Sequence, residues 1–307
     1  MKLNLKAKPF YLNDEDLRWV EETLAGMTLN DKVGQLFSLI FMGADGAAYL
    51  NELAEAGIKP CGLTGRPQDG PGAQKTVRAM QTTAEIPLLI SANLERGGDG
   101  VAAGGTQFAN PLQVAATDDE RYAYHLGQIC GREGRAVGVN WSFAPIIDID
   151  YNYHNPITNT RTFGSDPDRV LRMAKEYMRG IKESNLAVSI KHWPGDGVDG
   201  RDQHLLASVN SLSVEEWDAT YGKIYAGMID AGARTVMSAH IMLPEYSRKL
   251  RPGIKDEDIL PASLAEELNV DLLRGKLGFN GLIVSDATPM AGFNASLPHA
   301  IAVPQMI

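Results

Sequence analysis

The chain has 307 residues, 44% of them hydrophobic and 22% charged, the balance of an ordinary globular protein. Its net charge of −9 argues against a nucleic-acid partner. No apolar span of 18 residues is present to form a membrane helix, and Cys61 and Cys130 are too few for a disulfide framework or a cysteine-based zinc site. The opening stretch MKLNLKAKPFYLNDED lacks the apolar core of a signal peptide, so a cytoplasmic location is expected.

Taken in order, the chain alternates helical and extended patterns. Asn13 caps a helix over 14–26, in which Leu17, Val20 and Leu24 recur at helical spacing. Thr28 caps a short helix through Asp31 and Lys32, and residues 35–42 read as a first buried strand. A helix over 47–56 ends at Gly57, a weak second strand covers 60–66, and a helix over 72–83 leads to an apolar strand from Ile86. Residues 97–107 hold five glycines, but no suitable helix or partner acid follows, so an active-site loop is preferred over a phosphate cradle.

Thr117 is expected to cap a long helix through about 137. NWSFAPIIDID forms the fourth strand, ending in Asp148 and Asp150, and a helix spans 167–184. Residues 187–204, AVSIKHWPGDGVDGRDQH, concentrate the chemistry. A short apolar run meets Lys191, His192 and Trp193, breaks at Pro194-Gly195, and passes into a loop carrying Asp196, Asp199, Asp202 and His204. Asp202 lies two residues from His204, a spacing that lets a carboxylate fix an imidazole tautomer for proton transfer. The same residues also suit ordinary turn chemistry or half of a metal site. A helix over 213–231 with Ser213 as cap, a strand ending at His240, a helix over 261–276 capped at Ser263, and a strand ending at Ser285-Asp286 complete the pattern.

Strands separated by helices, without hairpin signals, make a parallel sheet. Polar residues end nearly every strand: Asn93 and Glu95, Asp148, Lys191 and His192, His240, Asp286. A closed barrel collects strand ends into one site, whereas an open sheet works at a single switch point. The fold expected is therefore α/β, a (β/α)8 barrel of TIM type. Only seven strands are countable before the sequence ends, so one barrel domain over 1–307 is expected, truncated after strand seven.

The segments MTLNDKVGQLF, GVNWSFAPIIDID, RTFGSDP, KHWPG…DQH, MSAHIMLP and IVSDA stand in the order found in glycoside hydrolase family 3. The chain resembles the N-terminal barrel domain of that family, most of all its single-domain β-N-acetylglucosaminidase branch. The resemblance implies a retaining glycosidase with Asp286 as nucleophile, forming a covalent glycosyl-enzyme intermediate. It implies His204 as acid/base oriented by Asp202, whose negative charge favours the protonated imidazole needed first. Arg161, Lys191 and His192 would hold sugar hydroxyls, and no metal or cofactor is implied. By the same likeness Asn93 stands where an Asp commonly grips distal hydroxyls, and Asn can donate where Asp only accepts. His240 reads equally as a sugar contact or a packed histidine, Trp193 as pocket wall or core, while Asp148 and Asp150 read as loop caps.

Two further departures lie in the dyad loop: P-G-H-G of the family is PGDG here, with Asp196, and the Ser of D-S-H is Gln203. The leading expectation is removal of terminal β-linked N-acetylhexosamine from a small oligosaccharide or glycoconjugate. A β-glucosidase usually takes its acid/base from a second domain. A phosphorylase is the other same-fold alternative: a His acid/base lacks the repulsion of a carboxylate and can admit phosphate, the acidic PGDG loop argues against this, and Lys191 and Arg161 would help it. A non-catalytic, sugar-binding barrel is the alternative outside enzymes. No oligomeric state is legible.

Overall fold

The computed structural model describes residues 3–43, 45–65 and 68–307. Seven parallel strands form one sheet in chain order: β1 (Ser38–Phe41), β2 (Gly62–Gly65), β3 (Leu89–Ala92), β4 (Trp141–Ser142), β5 (Ala187–Trp193), β6 (Thr235–Ser238) and β7 (Leu282–Ser285). Each strand pairs with the next in sequence, and helices fill the crossovers. This is the expected barrel architecture left open: among the described residues no ladder joins β1 to β7.

The helices follow local capping signals. Asn13 closes a reciprocal capping box with Asp16 on α1 (Asp14–Gly26), and Thr28 does so with Asp31 on α2 (Leu29–Gly34). Next come α3 (Gly46–Glu55), and α4 (Gly70–Thr83), which Asp69 caps with Pro71 in its first turn. Ser213 and Glu216 form another box at the start of the helix spanning 214–230. The first strand is shorter than the expected 35–42 because α2 and the turn after it consume residues through Phe37. The expected second strand, 60–66, reaches Arg66, which lies outside the described residues.

Two caps are corrected. Thr117 does not start the long helix; its hydroxyl donates back to the Val114 carbonyl at 2.7 Å, closing α5 (Pro111–Ala116). Asp119 caps the long helix, α6 (Glu120–Ala136), instead. Ser263 does not cap the helix that follows it, whose regular part is Glu267–Lys276, because its hydroxyl is engaged by His240.

Between sheet and helices lies the main core. The helix α7 (Pro167–Lys182), capped by Asp166, buries Val170, Met173, Ala174, Tyr177, Met178 and Ile181 against it. Register places Thr64, Ser91, Trp141 and Ala187 on one face of the sheet, its concave interior. There Trp141 and Phe143 meet edge to face with centroids 4.8 Å apart, and Met237 joins them. The Trp141 indole N–H donates to Thr235 Oγ1 at 2.8 Å, linking β4 to β6 past β5.

Candidate active site

The carboxyl ends of β3 to β7 bring most of the expected residues onto one rim. At the end of β5 lie Lys191 and His192, both buried, where the β5–β6 register shifts between Ile190 and Trp193. Lys191 Nζ donates to Asn93 Oδ1 at 2.8 Å and pairs with Glu95 Oε1 at 2.9 Å. Glu95 also takes a fork from Arg161, with Nε and Nη2 each at 2.9 Å from a carboxylate oxygen. Burial would raise the Glu95 carboxyl, yet Lys191 and Arg161 outweigh it and hold the group far below the usual carboxylate range. Burial would likewise lower Arg161, and Glu95 more than restores its charge.

Glu95 is thus the residue that the sequence reading underused. It is the counter-charge fixing two expected sugar-binding cations and, through Lys191, Asn93. Its only signal in sequence was an acid at a strand end.

Asp148 is fully buried. Its Oδ1 accepts from the backbone N–H of His192 at 3.0 Å and of Asp196 at 2.8 Å, and its Oδ2 accepts from His192 Nδ1 at 2.6 Å. These contacts run to the end of β5 and the loop after it rather than to the loop that follows Asp148, and they orient His192 through Nδ1. Asp150 accepts from the Thr158 hydroxyl at 3.0 Å, a loop contact alone.

The Asp202–His204 pair forms as its spacing suggests. Asp202 Oδ1 accepts from His204 Nδ1 at 2.6 Å and from the His204 backbone N–H at 2.8 Å. The His204 side chain is 45% exposed, so Nε2 is open to a substrate. Between them Gln203 points inward and is fully buried. The His204 carbonyl accepts from Ala291 N–H at 3.0 Å, tying this loop to the segment that follows Asp286.

Asp286, at the end of β7, is half-buried, and its backbone N–H donates to the Ser238 carbonyl at 2.9 Å. Burial would raise its carboxyl, but His192, His240 and Lys191, with the Ala287 N–H at 2.8 Å, hold it below its ordinary value. The group is therefore an anion at neutral pH.

His240 has both ring nitrogens engaged inside the protein: Nε2 donates to the Ala287 carbonyl at 3.0 Å, and Nδ1 shares a hydrogen bond with Ser263 Oγ at 2.8 Å. Burial lowers the basicity of the ring, and the nearby Asp286 works against that. Here the packed-histidine alternative is the one the geometry favours; no ring nitrogen is left for a sugar. Trp193 belongs to the core, edge-on to Trp217 at 5.6 Å and to Tyr225 at 4.7 Å.

Asp196 does lie near the dyad, but enclosed: it is 2% exposed and wrapped by donors, Asn155 Nδ2 at 2.8 Å, Gly197 N–H at 2.7 Å and Gln203 Nε2 at 3.4 Å. Burial and the neighbouring Asp148 raise its carboxyl to about 6.

The barrel rim thus gathers an anionic aspartate, a carboxylate-bound imidazole and a fixed set of cations and amides, the polar lining of a candidate ligand site. Residues 28–305 match the glycosyl hydrolase family 3 N-terminal domain, and the chain belongs to that family. It is 51% identical over 305 residues to a β-N-acetylglucosaminidase/β-glucosidase of Cellulomonas fimi, covering 99% of this chain and 54% of that protein. Among solved structures it is similar to a β-glucoside phosphorylase bound to 2FGlc, with 48% identity and a TM-score of 0.95 over 98% of this chain and 54% of that one. A family 3 β-N-acetylglucosaminidase from Paenibacillus sp. str. FPU-7 aligns with a TM-score of 0.82 at 28% identity, covering 92% of this chain and 54% of that one. The chain thus spans about half the length of these relatives.

Proposed function

We propose that this domain carries out retaining phosphorolysis of terminal β-linked glucosides, with Asp286 as nucleophile and His204 as general acid. The observation that carries the reading is the Asp202–His204 pair, with Nδ1 bound to a carboxylate and the ring half exposed. In the first step an Asp286 carboxylate oxygen attacks C1 of the sugar. The C1–O bond to the aglycone breaks, and that oxygen leaves with the electron pair and the proton of His204 Nε2.

The imidazole is then neutral, whereas a carboxylic acid would have become an anion. A neutral group beside the covalent intermediate does not repel an incoming phosphate. An oxygen of phosphate attacks C1 and releases Asp286, so two inversions yield a β-linked sugar 1-phosphate. The acidic loop weighs less against phosphate than its sequence suggests, since Asp196 is buried and its charge is met by hydrogen-bond donors. Similarity to a solved β-glucoside phosphorylase supports both acceptor and sugar. Arg161, Lys191, His192 and Asn93 are the sugar-holding set, with one Lys191 N–H beyond those spent on Asn93 and Glu95.

A second reading, hydrolysis of β-linked N-acetylhexosaminides, draws on the 51% identical Cellulomonas fimi relative. The two separate on p-nitrophenyl β-glucoside and β-N-acetylglucosaminide, assayed with and without phosphate, with products read by phosphorus NMR. Phosphate-dependent release from the glucoside with formation of a β-sugar 1-phosphate supports the proposal. A rate indifferent to phosphate, with free sugar as product, refutes phosphorolysis, and preference for the N-acetyl substrate moves the sugar to the second reading.

A further inference from the structure

Gln203 sits between the two members of the dyad, yet it is a fully buried polar side chain on an otherwise exposed turn. Both ends of its amide are used. Oε1 accepts from the His240 backbone N–H at 3.0 Å, and Nε2 donates to Asp196 Oδ2 at 3.4 Å. Its carbonyl accepts from Gly292 N–H at 3.0 Å, where an added Cβ would lie 2.8 Å from that same oxygen. Only a bare backbone approaches so closely.

Asp196 is anchored just as fully. Its N–H donates to Asp148, its carbonyl accepts from Tyr221 at 2.5 Å, and Asn155 and Gly197 hold Oδ1. A line of contacts therefore runs from β4 through Asp148 and Asp196 to Gln203, and on to the ends of β6 and β7. The loop's two departures from the family pattern, at 196 and 203, meet in the middle of that line.

We propose that Asp196 and Gln203 form a latch that sets the position of the Asp202–His204 dyad, making both of them positioning residues for proton transfer. This rests on the reading of His204 as the acid. The physical argument is polarity matching in a buried place. Asp196 offers only acceptors there and Gln203 turns its donor end toward it, while the acceptor end of the same amide takes the His240 N–H. Flipping the amide would set oxygen against carboxylate and N–H against N–H, so the orientation has a single solution. Residues 202 and 204 flank the anchored one, and the dyad inherits its position.

The test follows from the directionality. Asp196→Asn places an N–H against the Gln203 N–H, and Gln203→Glu places a carboxylate against a carboxylate. The double variant D196N/Q203E restores one donor facing one acceptor and leaves an acceptor for the His240 N–H, with the same net charge. Hydrogen exchange at the amides of 204–206 and 291–292, followed by mass spectrometry, reads the latch without any activity. The single variants should accelerate exchange there by roughly tenfold or more, and the double variant should return it to wild type.

Turnover supplies the second readout. Misplacement of the acid should cost about 10²-fold in kcat/KM for a nitrophenyl glycoside, but little for a dinitrophenyl glycoside whose leaving group needs no proton. Unchanged exchange in both single variants, or a double variant as impaired as the worse single one, overturns the latch. Loss of both substrates alike makes the role merely structural and overturns it too. Should a single variant not fold, a folded double variant with wild-type exchange supports the latch and an unfolded one overturns it. If wild type turns over no glycoside at all, the function reading fails while the exchange result still decides the latch.

Discussion

The β5–β6 side of the barrel and the β1/β7 edges are built from similar residues but end in different states. Along β5 every position from Val188 to Trp193 is buried, and Trp193 packs into an aromatic group with Trp217 and Tyr225. On β1 and β7 the equally apolar Ile40 and Leu282 remain 45% and 41% exposed. The difference is in neighbours, not in side chains: the inner strand has a ladder on each side, and each edge strand has one. Apolar residues stabilise only in proportion to the water they leave. The rim chemistry spans both: the Glu95 and Asp148 networks are assembled across β3, β4 and β5, while Asp286 stands at the end of the edge strand β7.

The largest effect expected is on turnover. Asp286→Ala should lower kcat by more than about 10⁴-fold while the protein stays folded, checked by steady-state kinetics and a melting curve. Stability loss at wild-type scale, rather than catalytic loss, would place Asp286 with the structural acids.

Next, the two regions should separate on truncation. Trp217 is fully buried, donates to the Pro194 carbonyl at 2.9 Å and packs edge-on to Tyr246 at 5.0 Å. Trp217→Ala should cost about 3–5 kcal/mol in denaturant unfolding. Leu282→Ala at the open edge should cost less than about 1 kcal/mol. Comparable losses at the two sites would show that the edge is covered in solution.

A smaller effect distinguishes two buried carboxylates by pH. Asp196 binds its proton more tightly in the fold, up to about 6 against 3.8, with Asp148 and His192 facing it. Its contribution to stability is therefore complete below pH 3.8 and is lost as pH rises through 6. Glu95 acts in the opposite sense: held below 4.5, it stabilises above that pH and fades only in strong acid. Urea unfolding of wild type and Asp196→Asn should show that the wild type alone loses this contribution between pH 4 and 6. Parallel pH profiles of the two proteins would mean that Asp196 is ionised throughout.

Much of this molecule was legible in its sequence because the signals are local. Capping boxes at Asn13, Thr28 and Ser213, the alternation of strand and helix, and the i, i+2 contact of Asp202 with His204 need only a few consecutive residues. Local reading failed where a side chain had a distant claimant. Ser263 looks like a cap until His240, 23 residues away, takes its hydroxyl. Thr117 failed for a local reason, since its hydroxyl closes the preceding helix on Val114 and Asp119 caps the next one.

What only the tertiary structure decided are the states of buried charge. Glu95 meets Arg161 across 66 positions and Asp148 meets His192 across 44. That the loop acid Asp196 is enclosed is decided by Asn155, Tyr221 and Gln203, which come from other parts of the chain or fold back onto it. The sequence by itself determined which chemical groups stand at the strand ends. Their ionisation and orientation depend on desolvation and on partners brought together from across the chain, and those exist only in the folded barrel.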